Sequence, residues 1–175
     1  YTGSIPSPPP SPEYKTIDLS QEVNMDLWDM GGPGAFKWMN ATRPGNDMRG
    51  LPTGYQVFNN IKFKIIDPET NARKSVIGIS YEKGFPEKAE VPVNDVAKCV
   101  YLLHSSSDNI PSAFAGAITF KYADGTEKSR NIVKFKDVTN WWFSSLKNER
   151  AGVAWSSQTD RRARRRSRSR GRRRD

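Results

Sequence analysis

"AITFKYADGTEKSRNIV", residues 117 to 133, decides the fold class. Ile118, Phe120 and Tyr122 alternate with Thr119 and Lys121, which is the two-residue period of a strand with one apolar face. Asp124-Gly125 supplies the positive φ angles of a tight hairpin. Outward from this hairpin, short apolar segments alternate with Gly, Pro, Asn and Asp, and no stretch keeps a 3.6-residue period. Strands are expected at 14–19, 55–66, 74–81, 89–93, 98–105, 115–122, 129–135 and 151–157. A second hairpin is expected around Asp67-Pro68, where Pro ends a strand and Asn71 tolerates a left-handed turn. About eight strands so spaced predict an all-β fold, an antiparallel two-sheet β-sandwich or jelly roll.

The 175 residues, 35% hydrophobic and 11% aromatic, suffice for one core. The organisation expected is a Pro/Ser-rich linker over 1–13, one module over 14–157 and an Arg-rich disordered tail over 158–175. Cys99, the single cysteine, excludes an intrachain disulfide, and its place in "CVYLLH" predicts a small buried hydrophobe. No apolar run approaches the ~20 residues of a membrane helix, so a soluble chain is expected. A start at Tyr1 and the Pro/Ser-rich opening suggest a processed product or a piece of a longer protein.

The order "TIDLS", "LPTGYQVFNNIKFKIID", "VPVNDVAKCVYLLHSSS", "FKYADGTEKSRNI", "NWWFSSL", "VAWSS" resembles the galactose-binding-like β-sandwich modules found beside catalytic domains of bacterial polysaccharide-degrading enzymes. The resemblance spans about Tyr14 to Ser157 and rests on the succession of motifs. It implies a jelly roll that binds a polysaccharide or glycan without catalysis. It also implies a neighbouring catalytic domain in the parent protein and a secreted or cell-surface setting. Where such modules continue into a closing strand after "VAWSS", this chain passes directly into "QTDRRARRRSRSRGRRRD".

That ending carries the whole charge excess. The chain has 28 Lys and Arg against 19 Asp and Glu, net +9, and residues 161 to 175 alone hold ten Arg and one Asp. The remainder has 18 basic and 18 acidic side chains and is neutral. A nucleic-acid-binding domain usually presents a basic face of its own, because phosphate contacts supply most of its affinity. Arg161, Arg162, Arg164, Arg165, Arg166, Arg168, Arg170, Arg172, Arg173 and Arg174 are therefore polyanion-binding candidates independent of the module. They give the alternative function: an interaction protein that takes nucleic acid or heparin through its tail.

Catalytic signatures are sparse. His104 is the sole histidine, so a His-rich zinc site is excluded, and Ser105, Ser106, Ser107 and Asp108 form a local run rather than the converging elements of a triad. No Gly-x-Ser-x-Gly turn occurs, and "DMGGPG" lacks the Lys-Ser/Thr of a phosphate loop. A strand-end histidine hydrogen-bonded in place is the expectation. A glycosidase working through two carboxylates remains open on composition alone, but a binding protein that is not an enzyme is expected.

Aromatic residues are the better candidates. An exposed Trp covering roughly 100 Å² of a pyranose face gains about 2–3 kcal/mol before binding costs, and nearby polar groups select hydroxyl orientation. Trp28 and Trp38 lie in a long loop-rich stretch with Asp26, Asp29 and Arg49, where a lid over the core and a ligand platform are both open readings. In "NWWFSS" adjacent side chains face opposite ways, so one of Trp141 and Trp142 is expected inside and the other exposed. Trp155 shares an expected strand face with Val153, which favours packing. Trp28, Trp38, Trp142, Asp26, Asp29 and Arg49 are the carbohydrate-binding candidates. No cofactor is required, although Asn24, Asp26 and Asp29 offer oxygens to a structural calcium. "Asn40-Ala41-Thr42" fits a glycosylation acceptor in a eukaryotic secretory route.

Overall fold

The computed structural model describes residues 14–28, 47–82, 84–106, 114–141 and 149–156. Among these residues the regular structure is strand only, with no helix, arranged as two small antiparallel sheets. The chain divides into two compact units. One comprises the described residues of Pro10–Val100 and Trp155–Asp175, the other those of Tyr101–Ala154.

The first unit contains β1 (Gly54–Phe58) and β2 (Ile61–Ile65). The sequence "YQVFNNIKFKII" reads as one long strand, but it folds back at Asn59 and Asn60, with φ of 50° and 64°. Two successive left-handed residues make the two-residue turn whose twist matches a hairpin, and Asn tolerates that conformation better than most side chains. Register runs Gly54 to Ile65, Gln56 to Phe63 and Phe58 to Ile61. Phe58, Phe63 and Ile65 therefore share one face, with the Phe58 and Phe63 ring centres 6.1 Å apart.

Val23, Met25 and Leu27 are buried in the same unit, alternating with the half-buried Asn24, Asp26 and Trp28. This period-two segment pairs with residues 74–78 through an antiparallel bridge between Met25 and Val76. Val76 N–H donates to the Met25 carbonyl and Met25 N–H to that of Val76, both at 3.1 Å. The stretch expected to be a loop thus begins with extended, core-forming chain. The left-handed turn near Asn71 falls on Ala72 and Arg73, with φ of 49° and 63°. Asn71 instead donates its amide to the carbonyls of Ser20 and Lys74.

The second unit holds β3 (Phe114–Lys121) and β4 (Glu127–Val133), paired from Phe114–Val133 to Lys121–Glu127 with an irregularity between Phe114 and Gly116. Of the two turn residues expected to be left-handed, only Gly125 is, at φ 82°. Gly125 N–H donates to the Tyr122 carbonyl and Tyr122 N–H to that of Thr126, the pattern of a three-residue loop closed by a glycine. Asp124 Oδ1 accepts from both the amide and the hydroxyl of Thr126. After β4 the chain turns back, Phe135 taking φ 64°, and Ser106 forms a parallel bridge to Asn140.

Other expected strands are not formed in the described residues. Residues 14–19, 89–93, 98–105 and 151–156 have no strand pairing, and 74–81 keeps one bridge, at Val76. Propensity favours extended chain there, but a strand exists only where a neighbour takes its backbone groups. Cys99 is exposed rather than buried, because without strand pairing nothing folds its side chain inward. Val153 is exposed and Trp155 half-buried, so the shared packed face expected of them is not formed.

Candidate functional site

The extended segment ending at Trp28 and the left-handed turn at Ala72 and Arg73 belong to the same unit, and their side chains meet. Asp26 Oδ1 accepts from the Trp28 amide at 2.9 Å. Arg73 Nη2 lies 2.8 Å from Asp26 Oδ2, and the guanidinium carbon stands 4.9 Å from the centre of the Trp28 ring. Trp28 Nε1 is buried and has no hydrogen-bond partner among the described residues. The Arg73 side chain keeps 43% of its surface in solvent. A charged pair is thus held against an aromatic ring at the surface, with carboxylate acceptors and guanidinium donors side by side. Such a pair matches the alternating donors and acceptors of sugar hydroxyls.

Two candidates from the sequence, Asp26 and Trp28, come together here. Arg73 was not foreseen, since it follows a loop, carries no motif and reaches Trp28 only through the Met25–Val76 pairing. Arg49 goes elsewhere. Its Nε and Nη2 donate to the two oxygens of Asp47 at 2.8 and 2.6 Å, and its own amide donates to Asp47 Oδ1. The Asp47 side chain is only 1% exposed. Desolvation raises its pKa, but the hydrogen bonds and charge of Arg49 outweigh that and hold it below the ordinary carboxylate value. Arg49 thus serves as the internal partner of a buried acid.

Asn24 is likewise engaged. Its Oδ1 accepts from the Gly78 amide at 2.7 Å and its Nδ2 donates to the Gly78 carbonyl at 2.9 Å. Both ends of the amide thereby stand in for a missing strand pair, and the Arg73 cation occupies the flank of Asp26. Among the described residues no group of three or more His, Cys, Asp or Glu is placed to hold a metal ion. Asp29, Trp38, Trp142, the Asn40 acceptor and all ten tail arginines lie outside the described residues.

In the second unit His104 is hydrogen-bonded in place, its Nε2 donating to the Asp137 carbonyl at 3.1 Å, although the strand it was expected to end is not formed. Part of its surface stays in solvent, yet desolvation of the ring lowers its pKa, against the opposing hydrogen bond and charge of Asp137. The Asp137 carboxylate is the hub of this unit. It accepts from the Val133 amide at 2.9 Å and Arg150 Nη2 at 2.7 Å, with Arg130 Nη2 at 3.4 Å. Ser106 Oγ is buried without a hydrogen-bond partner among the described residues.

No protein-family model matches the chain, and neither the curated proteins nor the solved structures include a significant match.

Proposed function

We propose that this chain is a noncatalytic carbohydrate-binding module with a galactose-binding-like β-sandwich fold, carried by a longer, secreted glycan-degrading enzyme. The observation that carries the reading is the Asp26–Arg73 pair held against the Trp28 ring. It offers apolar ring area for a sugar's C–H face and fixed polar groups for its hydroxyls. Strand-only regular structure among the described residues and the motif order from "TIDLS" to "VAWSS" support the same reading. The pair and the ring act together: Asp26 fixes the guanidinium, and Arg73 stands against the half-buried indole, so a ligand meets the ring and the charged pair together.

A glycan array probed with the intact chain and with a chain lacking residues 158–175 tests this. Both are expected to bind some polysaccharide with a dissociation constant of about 10 μM to 1 mM, the strength of one or two stacked rings after ordering costs. No sugar bond is expected to break during prolonged incubation. Retention of heparin or nucleic acid alone, lost on removing 158–175, would replace the reading with tail-driven polyanion binding.

A further inference from the structure

The β1–β2 hairpin carries a face that the sugar site above does not use. Alternation puts Tyr55 and Val57 of β1 on one side with Lys62 and Lys64 of β2, Tyr55 opposite Lys64 and Val57 opposite Lys62. Tyr55 and Val57 keep 62% and 67% of their surface in solvent, while Phe58 and Ile65 on the other face are buried. Lys62 Nζ sits 4.4 Å from the centre of the Tyr55 ring. Lys64 Nζ is 3.6 Å from Asp18 Oδ2, in a pair open to water on both sides. Such an exposed pair holds its partners loosely and yields to a competing anion.

We propose that this face binds an acidic sugar residue, a pyranose bearing a carboxylate or sulfate within a glycan chain. The four side chains span about 6.6 Å along the strands and about 5 Å across them, the footprint of one sugar ring. The apolar face of the ring lies on Tyr55 and Val57, and the ammonium groups of Lys62 and Lys64 take the acid group. Charge decides between ligands: a neutral sugar leaves Lys62 on the Tyr55 ring and Lys64 on its loose pair with Asp18, whereas an acidic one offers both ammonium groups a full negative charge. A protein partner needs about 800 Å² on each side, far more than four side chains offer. Nucleic acid gains little here, since two cations give a log-log salt slope of only about −1.4 to −1.8, and among the described residues of the hairpin Tyr55 is the one exposed ring on this face, with no second to receive the next base. The site is separate from the Trp28 group and goes beyond the function proposed from it.

The test is a titration of the intact ¹⁵N-labelled chain followed residue by residue by NMR, which reads the hairpin separately from the tail and from the Trp28 indole. The probes are tetragalacturonate, a heparin tetrasaccharide, cellotetraose and a thymidine oligonucleotide. One of the two acidic sugars is expected to shift the amides of residues 55–64 saturably, the tighter binder naming the acid group. Replacing Lys62→Gln with Lys64→Gln raises that dissociation constant about fivefold or more, and Tyr55→Ala about threefold, with amide signals away from the hairpin unchanged. The proposal is overturned if neither acidic probe shifts these amides, if cellotetraose or the oligonucleotide shifts them as strongly, or if the lysine variant binds like the intact chain. Shifts confined to the Trp28 indole would support the carbohydrate reading and still overturn this one.

Discussion

The Arg73 guanidinium lies over the Trp28 ring at 4.9 Å and pairs with Asp26 at 2.8 Å, so two segments distant in sequence form one surface feature. The half-exposed cation–π contact and ion pair contribute about 0.5–1 kcal/mol each to stability. Arg73→Gln is therefore expected to cost about 1–2 kcal/mol in urea unfolding. The same change is expected to weaken glycan binding about tenfold, as is Trp28→Ala. Arg73→Lys, which keeps charge but loses the planar fork, falls between. Unchanged affinity in both Arg73→Gln and Trp28→Ala removes this group from the binding site.

Gly78 is packed against Met25. A Cβ at Gly78 would run into the Met25 Sδ and Cγ atoms, and Met25 is buried, so it has little room to swing aside. Gly78→Ala is expected to destabilise the chain by about 1–3 kcal/mol, the usual cost of overpacking. Met25→Ala in the same chain should recover part of that loss, and a double-mutant cycle by urea unfolding measures the coupling. Strict additivity of the two changes would show that the contact is not what constrains Gly78.

Asp137 joins Val133, Arg130 and Arg150 within the second unit. Asp137→Asn removes the charge that holds both guanidinium groups. The expected loss is about 2–3 kcal/mol, below the ~3–5 kcal/mol of a fully buried pair because both arginines remain partly solvated. Amide exchange should show the loss in residues 130–138 first. Full protection of those amides in the variant contradicts the assignment of Asp137 as hub.

His104 predicts a sign for the pH dependence. Desolvation of the ring, despite the exposure of the residue as a whole, lowers its folded-state pKa below the ordinary 6.5, so the unfolded chain binds the proton more readily. Its contribution to stability is complete above the unfolded pKa and declines as pH falls below about 6.5. His104→Gln keeps a side-chain donor for the Asp137 carbonyl and has no proton to gain. Urea unfolding between about pH 7.5 and pH 5 should show a shallower fall for the variant than for the natural chain. Identical slopes would place the titrating group elsewhere.

What the sequence determined by itself was local. Alternation at Ile118 and Phe120 with Gly125 between two apolar runs located the β3–β4 hairpin, because turn geometry and strand period are written in neighbouring residues. The same logic applies to Asn59-Asn60, whose paired left-handed conformation was hidden inside an apparently continuous strand. Alternation in "VNMDLW" was likewise present, though masked by the polar and Gly-rich residues that follow. Tertiary structure alone decided which extended segments found partners, and hence that Cys99 is exposed while Met25 and Leu27 are buried. It also decided that Arg49 is committed to Asp47 and that Arg73 meets Trp28. Charge and aromaticity mark a side chain as able to bind. Whether it faces a ligand, a buried acid or another ring depends on backbone pairing between residues far apart in the chain, which no local pattern encodes.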